Sequence, residues 1–142
     1  MAVTNTPIFP QTQNPGVITI VPADAQAQKT LLTAGANGTK VEALSICSSD
    51  TVARDVSIYL TRAAVNYLLT TVSIPAGAGQ PAAPAAVPAV DVFRSAQIPG
   101  LAYDAFGNRY LLLKSGDTLT INAPVTLTAA KTVTAFAQGG DY

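Results

Sequence analysis

Histidine and tryptophan are both absent from this 142-residue chain, and cysteine occurs once. Without histidine the side chain best suited to proton transfer near neutral pH is missing, which removes His-dependent triads and His-bearing zinc sites. Sugar-binding faces commonly lean on tryptophan, so its absence leaves only a tyrosine platform for that role. Cys47 has no second cysteine to pair with and no histidine to activate it, and reads as a small buried hydrophobe. Charge is scarce as well: Asp, Glu, Lys and Arg make up 11% of the residues, where roughly 25% is usual. A surface of neutral Ala, Thr, Ser, Gln and Asn follows. Such a surface loses its water cheaply, which favours extensive protein contact.

The few charges are also dispersed. Eight Lys and Arg balance eight Asp and Glu, and the cations Lys29, Lys40, Arg54, Arg62, Arg94, Arg109, Lys114 and Lys131 stand singly along the chain. No basic stripe exists to neutralise phosphates, so no nucleic-acid partner is expected. No membrane partner is expected either, because the longest weakly polar stretch, residues 75–90, is broken by four prolines and filled with Ala and Gly. The first residues lack the basic and apolar regions of a secretory signal, which predicts synthesis in the cytoplasm. Asn37-Gly38-Thr39 matches the glycosylation sequon but, without a secretory route, reads as a turn.

What is present is strand patterning. Residues 1–15 carry Pro7, Pro10 and Pro15 among Thr, Asn and Gln, which predicts an extended arm. Ile8 and Phe9 on that arm need a docking place, on their own domain or on a neighbour. From Val17 onward the chain turns to short β-branched runs: 17–21, 29–34, 39–48, 54–61, 68–74, 110–114, a run from Leu119, and 131–138. In 39–48 Val41 takes one phase and Leu44 and Ile46 the other, the mark of a bulge. In 54–61 Val56, Ile58 and Leu60 alternate with Ser57, Tyr59 and Thr61, as a half-buried strand requires. Leu68, Val72 and Ile74 share a phase in the following strand. The odd positions Leu119 to Leu127 alternate as one bent strand or two, with Pro124 interrupting. Residues 75–90 read as an exposed polyproline-like loop joining two halves of one sandwich; a two-domain split would leave each half marginally small. Asp91 to Ala96 allows one helical turn, and Asp104-Ala-Phe-Gly-Asn108 a tight connection. About eight short strands without a long helix predict an all-β, single-domain β-sandwich over residues 16–142, jelly-roll-like, with the N-terminal arm extended from it.

Catalytic motifs fail one by one. The eight carboxylates would have to supply a glycosidase pair, but most sit beside turn residues, where Asp bonds backbone N–H groups. Gly77-Ala78-Gly79 runs into Gln80-Pro81 instead of opening a helix, and Lys114-Ser115 follows leucines rather than a P-loop glycine. The 104–108 segment has too few oxygen ligands for a calcium loop, and no Gly-x-Ser-x-Gly elbow occurs. The expectation is a protein that is not an enzyme and holds no cofactor or metal. Its tyrosines suit either a sugar platform or, on an outward strand face, interface anchors.

Asn5-Thr6-Pro7-Ile8-Phe9-Pro10, Gly38-Thr39-Lys40-Val41-Glu42-Ala43-Leu44, Gly107-Asn108-Arg109-Tyr110-Leu111-Leu112-Leu113 and the ending Gln138-Gly139-Gly140-Asp141-Tyr142 are turn and strand segments without a chemical signature. Together the chain resembles small tailed-bacteriophage virion proteins, in particular capsid decoration, or cement, proteins with a jelly-roll-like sandwich. The resemblance implies a homo-oligomer, dimer or trimer, on the outside of a phage head, made in the host cytoplasm and bridging the major capsid protein lattice. The expected contact residues are Ile8, Phe9, Pro10, Tyr59 and Tyr142, with the Pro-rich loop. The alternative from a different class is a receptor- or carbohydrate-binding β-sandwich of a tail appendage.

Overall fold

The computed structural model describes residues 9–81, 86–95, 98 and 100–142. Eight strands of five residues or more carry the fold: β2 (Gly16–Ile20), β3 (Lys29–Thr33), β4 (Thr39–Ser48), β5 (Arg54–Arg62), β6 (Val65–Ile74), β9 (Arg109–Leu113), β10 (Thr118–Asn122) and β11 (Val133–Asp141). Three two-residue strands, β1 (Thr12–Gln13), β7 (Val90–Asp91) and β8 (Ala102–Tyr103), and one short helix, α1 (Val92–Ser95), are added to them. The strands form two antiparallel sheets, β2-β11-β4-β9 and β3-β10-β5-β6, with β1, β7 and β8 extending the first. Among the eight longer strands only β5 and β6 are joined within a sheet. Every other connection carries the chain across to the facing sheet, which is the jelly-roll wrap expected from the sequence.

The alternation of each strand places one set of side chains between the sheets. Ile20, Ile46 and Val133 from one sheet and Ile58, Ile74, Leu119 and Ile121 from the other are essentially inaccessible, and they belong to one continuous core. The bulge read from Val41 and Leu44 is present: Gln138 pairs with Ala43 but Gly139 pairs with Val41, leaving Glu42 unpaired. Val41 and Leu44 both point inward as a result. Where β2 crosses β3 the chains approach so closely that a Cβ on Gly16 would fall 2.1 Å from the Leu31 carbonyl oxygen. Only glycine fits there.

Three sequence expectations need correction. A second bulge, at Leu69, reverses the phase of β6, because Ile58 pairs with Thr70 while Tyr59 pairs with Leu68. Leu69 turns toward the core and Leu68, expected inside with Val72 and Ile74, is 58% exposed. The run after Leu119 is neither one bent strand nor two. β10 stops at Asn122, ahead of the donor-less Pro124, and Val125 faces solvent while Ala123 and Leu127 stay buried. The stretch 75–90 is not simply an exposed loop. Ala78 is fully buried, its carbonyl accepts from the Ser48 amide at 2.8 Å, and the Gly79 amide donates to Val87 at 2.7 Å. A side chain on Gly79 would strike Cys47 Sγ, 2.7 Å from the added Cβ. Residues 82–85 lie outside the described residues, as do Ile8 and Ala96.

The β5–β6 hairpin carries a local conflict. Its two-residue loop is Ala63-Ala64, with φ of 49° and 63°. Both residues sit in the left-handed region that such loops normally fill with Asn-Gly, because a Cβ crowds the carbonyl there. Replacing Ala63→Asn and Ala64→Gly together is expected to raise stability by about 1–2 kcal/mol. A higher urea midpoint at unchanged slope would show it; an unchanged midpoint would mean the loop is unstrained.

Candidate functional surfaces and a charged trough

Among the described residues the arm is anchored from Pro10 onward. The Gln11 amide donates to the Asp141 carbonyl at 2.7 Å and the Asn14 amide to the Gly139 carbonyl at 2.9 Å, which holds β1 on β11. Pro10 lies over Gly140, where an added Cβ would fall 2.6 Å from the Pro10 ring. The Asn14 side chain donates to Thr33 O at 2.9 Å and to Asp141 Oδ1 at 2.8 Å. Thr39 Oγ1 also donates to Asp141, and together with Asn14 it holds that carboxyl below the usual range. The segment 10–14 is therefore built into the sandwich, and Phe9 leaves it 72% exposed.

Tyr59 and Tyr142 are half-buried. Tyr142 is a seal on the strand end, its amide donating to Gly38 O at 3.2 Å and its carbonyl accepting from Asn37 at 3.1 Å. Tyr59 sits opposite Leu68 on the outer face of the four-stranded sheet. Around it the hydroxyls satisfy one another: Ser57 with Thr71 at 2.9 Å, Thr61 with Thr120 at 3.3 Å. That face is neutral apart from Asp55. The outer face of the other sheet pairs Val17 with Phe136, 61% and 39% exposed, next to Thr19 bonded to Thr134 at 3.1 Å. Expected contact residues thus fall in separate places: Phe9 and Pro10 at the β1–β11 edge, Tyr142 beside them as a packing residue, and Tyr59 across the molecule.

Sequence reasoning missed two features. One is the Val17–Phe136 pair, which no periodicity marks because the two residues meet only through β2–β11 register. The other is a trough of about 430 Å³ at the opposite, β4–β9 side of the same sheet. Lys40 and Glu42 from β4, Asp91 and Arg94 from α1 and its approach, and Asp104 and Arg109 from the β8–β9 hairpin surround it. Six of the sixteen charged residues meet there, although they are scattered in sequence and only the fold gathers them. The Glu42 bulge re-aims its carboxylate onto Lys40 Nζ, 2.7 Å away, and that bond raises the Lys40 pKa. The Lys40 ammonium lies 4.8 Å from the Tyr110 ring centre. Asp91 caps α1, accepting from the Phe93 amide at 3.1 Å. Arg109 donates to the Phe93 carbonyl at 3.0 Å and stacks over Tyr103.

The turn that closes the trough is held by its own first residue. Asp104 accepts from the amides of Phe106 and Asn108, each at 2.8 Å, and from Asn108 Nδ2 at 2.9 Å. The Asn108 side chain foremost, then its amide, keeps the Asp104 pKa lowered. The turn chemistry expected for Asp104 is thus what the fold uses, and it leaves Phe106 91% exposed at the hairpin tip. No group of three or more Asp, Glu or Cys among the described residues is placed to hold a metal ion, and no described helix is long and apolar enough to cross a membrane.

No family model, curated protein or solved structure matches this chain.

Proposed function

We propose that the protein is a non-catalytic structural component of a tailed-phage virion, binding the outside of the head and stabilising the capsid by bridging major capsid subunits. One observation carries the reading. Of the four phenylalanines, only Phe93 is buried, while Phe9, Phe106 and Phe136 are 72%, 91% and 39% exposed. Large apolar groups displayed on an ordered framework, over faces with little charge to desolvate, are what a protein-binding surface needs. The resemblance of the turn and strand segments to decoration proteins supplies the phage head as the partner. A protein that binds only the assembled, expanded lattice stabilises it by its binding free energy, repeated over every copy.

Phe9 and the Val17–Phe136 pair lie along the β1/β2–β11 edge and form the proposed head-facing contact. Purified protein mixed with empty expanded heads should co-sediment saturably at a fixed copy number per head. Replacing Phe9→Ala and Phe136→Ser together should weaken that binding by about tenfold or more, the scale of an interface hot spot. The melting transition should stay where it is, because neither side chain is in the core. Absence of saturable binding to heads would refute the reading.

A further inference from the structure

We propose that the trough between β4, α1 and the β8–β9 hairpin is a binding site for a neutral oligosaccharide. The inference concerns the β4–β9 part of the same sheet and rests on the trough's own lining, so it does not depend on the proposed head contact.

The chemistry of the lining selects the ligand. Three cations and three carboxylates surround the trough, so a ligand of either net charge would meet as much repulsion as attraction. A neutral polyhydroxyl compound does not. Each sugar hydroxyl both donates and accepts, and so uses carboxylate acceptors and guanidinium or amide donors side by side. Several of these groups have bonding capacity left over. Glu42 engages Lys40 through Oε1 and is 56% exposed at its side chain, and Arg94 has an 83% exposed side chain with a single carboxylate 3.5 Å away. Asn108 and Asp104 are fixed by the turn they build, so they are pre-set for contact without further ordering.

The second requirement of a sugar is an apolar surface for its ring face. Tyr110, half-buried, lines the trough and supplies that surface beside the Phe93 side of the wall. A volume of about 430 Å³ falls in the range of small-ligand sites, which runs from roughly 300 to 1,000 Å³. Solvated surface ion pairs would explain single Lys–Glu or Asp–Arg contacts. They do not explain why a chain with so few charges gathers six of them around one concavity that Tyr110 also lines.

The test is an amide NMR titration of the full chain with two neutral trisaccharides, chitotriose and maltotriose. At least one should shift the amides of Asn108, Arg109 and Tyr110 saturably, with a dissociation constant of about 1 mM or tighter. Glu42→Gln and Tyr110→Ala should each weaken that binding about tenfold, while the spectrum elsewhere and the melting transition stay unchanged. Should Tyr110→Ala disturb the fold, Glu42→Gln and Arg94→Gln, both at exposed side chains, carry the test. No saturable shift in the trough, binding insensitive to these variants, or binding of an anionic sugar acid in place of both neutral probes would overturn the proposal. Arg94→Gln, on α1 and away from the arm, should leave head co-sedimentation unaffected, and Phe9→Ala should leave the sugar titration unaffected, so the two readings fail separately.

Discussion

Replacing Asp50→Ala is expected to lower the unfolding free energy by about 3–5 kcal/mol, the cost of removing one partner from a buried ion pair. The Asp50 side chain is fully buried and that of Arg54 is 14% exposed. Four donors converge on this carboxylate: Arg54 Nε at 2.8 Å, Thr128 Oγ1 at 2.7 Å, the Thr128 amide at 3.0 Å and the Val52 amide at 3.3 Å. The Asp50 backbone adds the Gly77 amide at 3.0 Å. One residue thereby joins the β4–β5 turn, the start of the 75–90 stretch and the loop before β11. Alanine would leave Arg54 Nε and the Thr128 amide without their acceptor, and no apolar group would fill the space. Asp50→Asn keeps the volume but turns an amino group toward donors, so it should cost nearly as much. Urea unfolding at neutral pH measures both; a loss below about 1 kcal/mol for alanine would show that water replaces the carboxylate freely.

The same carboxylate predicts acid sensitivity. Burial alone pushes the Asp50 carboxyl up, but the Thr128 amide and hydroxyl, Arg54 and the Val52 amide outweigh it and hold the pKa well below the usual range. The unfolded chain then binds the proton first. The stabilisation is present in full above the unfolded carboxylate value, near pH 4, and drains away as pH falls toward the lower folded value. Asp117 and Asp141, also lowered, act in the same direction. Stability measured from pH 7 to pH 2 should fall steeply in the wild type and less steeply in Asp50→Ala.

Strand identity was legible in the sequence because it rests on period-two alternation, and the bulge at Glu42 was legible because Val41 and Leu44 break that period in a single chain segment. The Leu69 bulge was not, since Leu68-Leu69 offers an apolar residue in either phase and only the register with β5 decides which turns inward. The Pro-rich stretch misled for a related reason. Its small residues resemble linker composition, yet Ala78 and Gly79 are small because they pack under Cys47 and β4. The exposed apolar side chains were half legible. Phe9 stood out on a polar arm, whereas Val17 and Phe136 lie near opposite ends of the sequence and meet only through the β2–β11 register, and the trough collects charges that had looked dispersed. The Asp104–Asn108 turn was recognised as a turn, and the phenylalanine inside it is what the hairpin tip leaves exposed.

Phe93→Ala is the second variant expected to lose about 3–5 kcal/mol, the usual cost of emptying a buried phenylalanine site. Composition cannot single it out among four phenylalanines, but the fold does. Phe93 is 3% exposed, beside the fully buried Val92, on a helix of only four residues that packs on β4 and β9. So short a helix has no stability of its own. It is held by the Asp91 cap at one end, by Arg109 on the Phe93 carbonyl, and by the two apolar side chains it inserts into the core. Truncating Phe93 removes the largest of these anchors; alanine keeps the backbone carbonyl that Arg109 bonds, so the damage should reach the wall of the trough only as far as the helix itself loosens. Phe93→Leu should recover most of the stability, because it refills the volume, whereas Phe106→Ala should leave stability within about 0.5 kcal/mol of wild type. If Phe93→Ala and Phe106→Ala melt alike, the helix does not close this end of the sandwich. The contrast between the two phenylalanines, thirteen residues apart, is then the direct measure of which apolar groups serve the fold and which it leaves exposed.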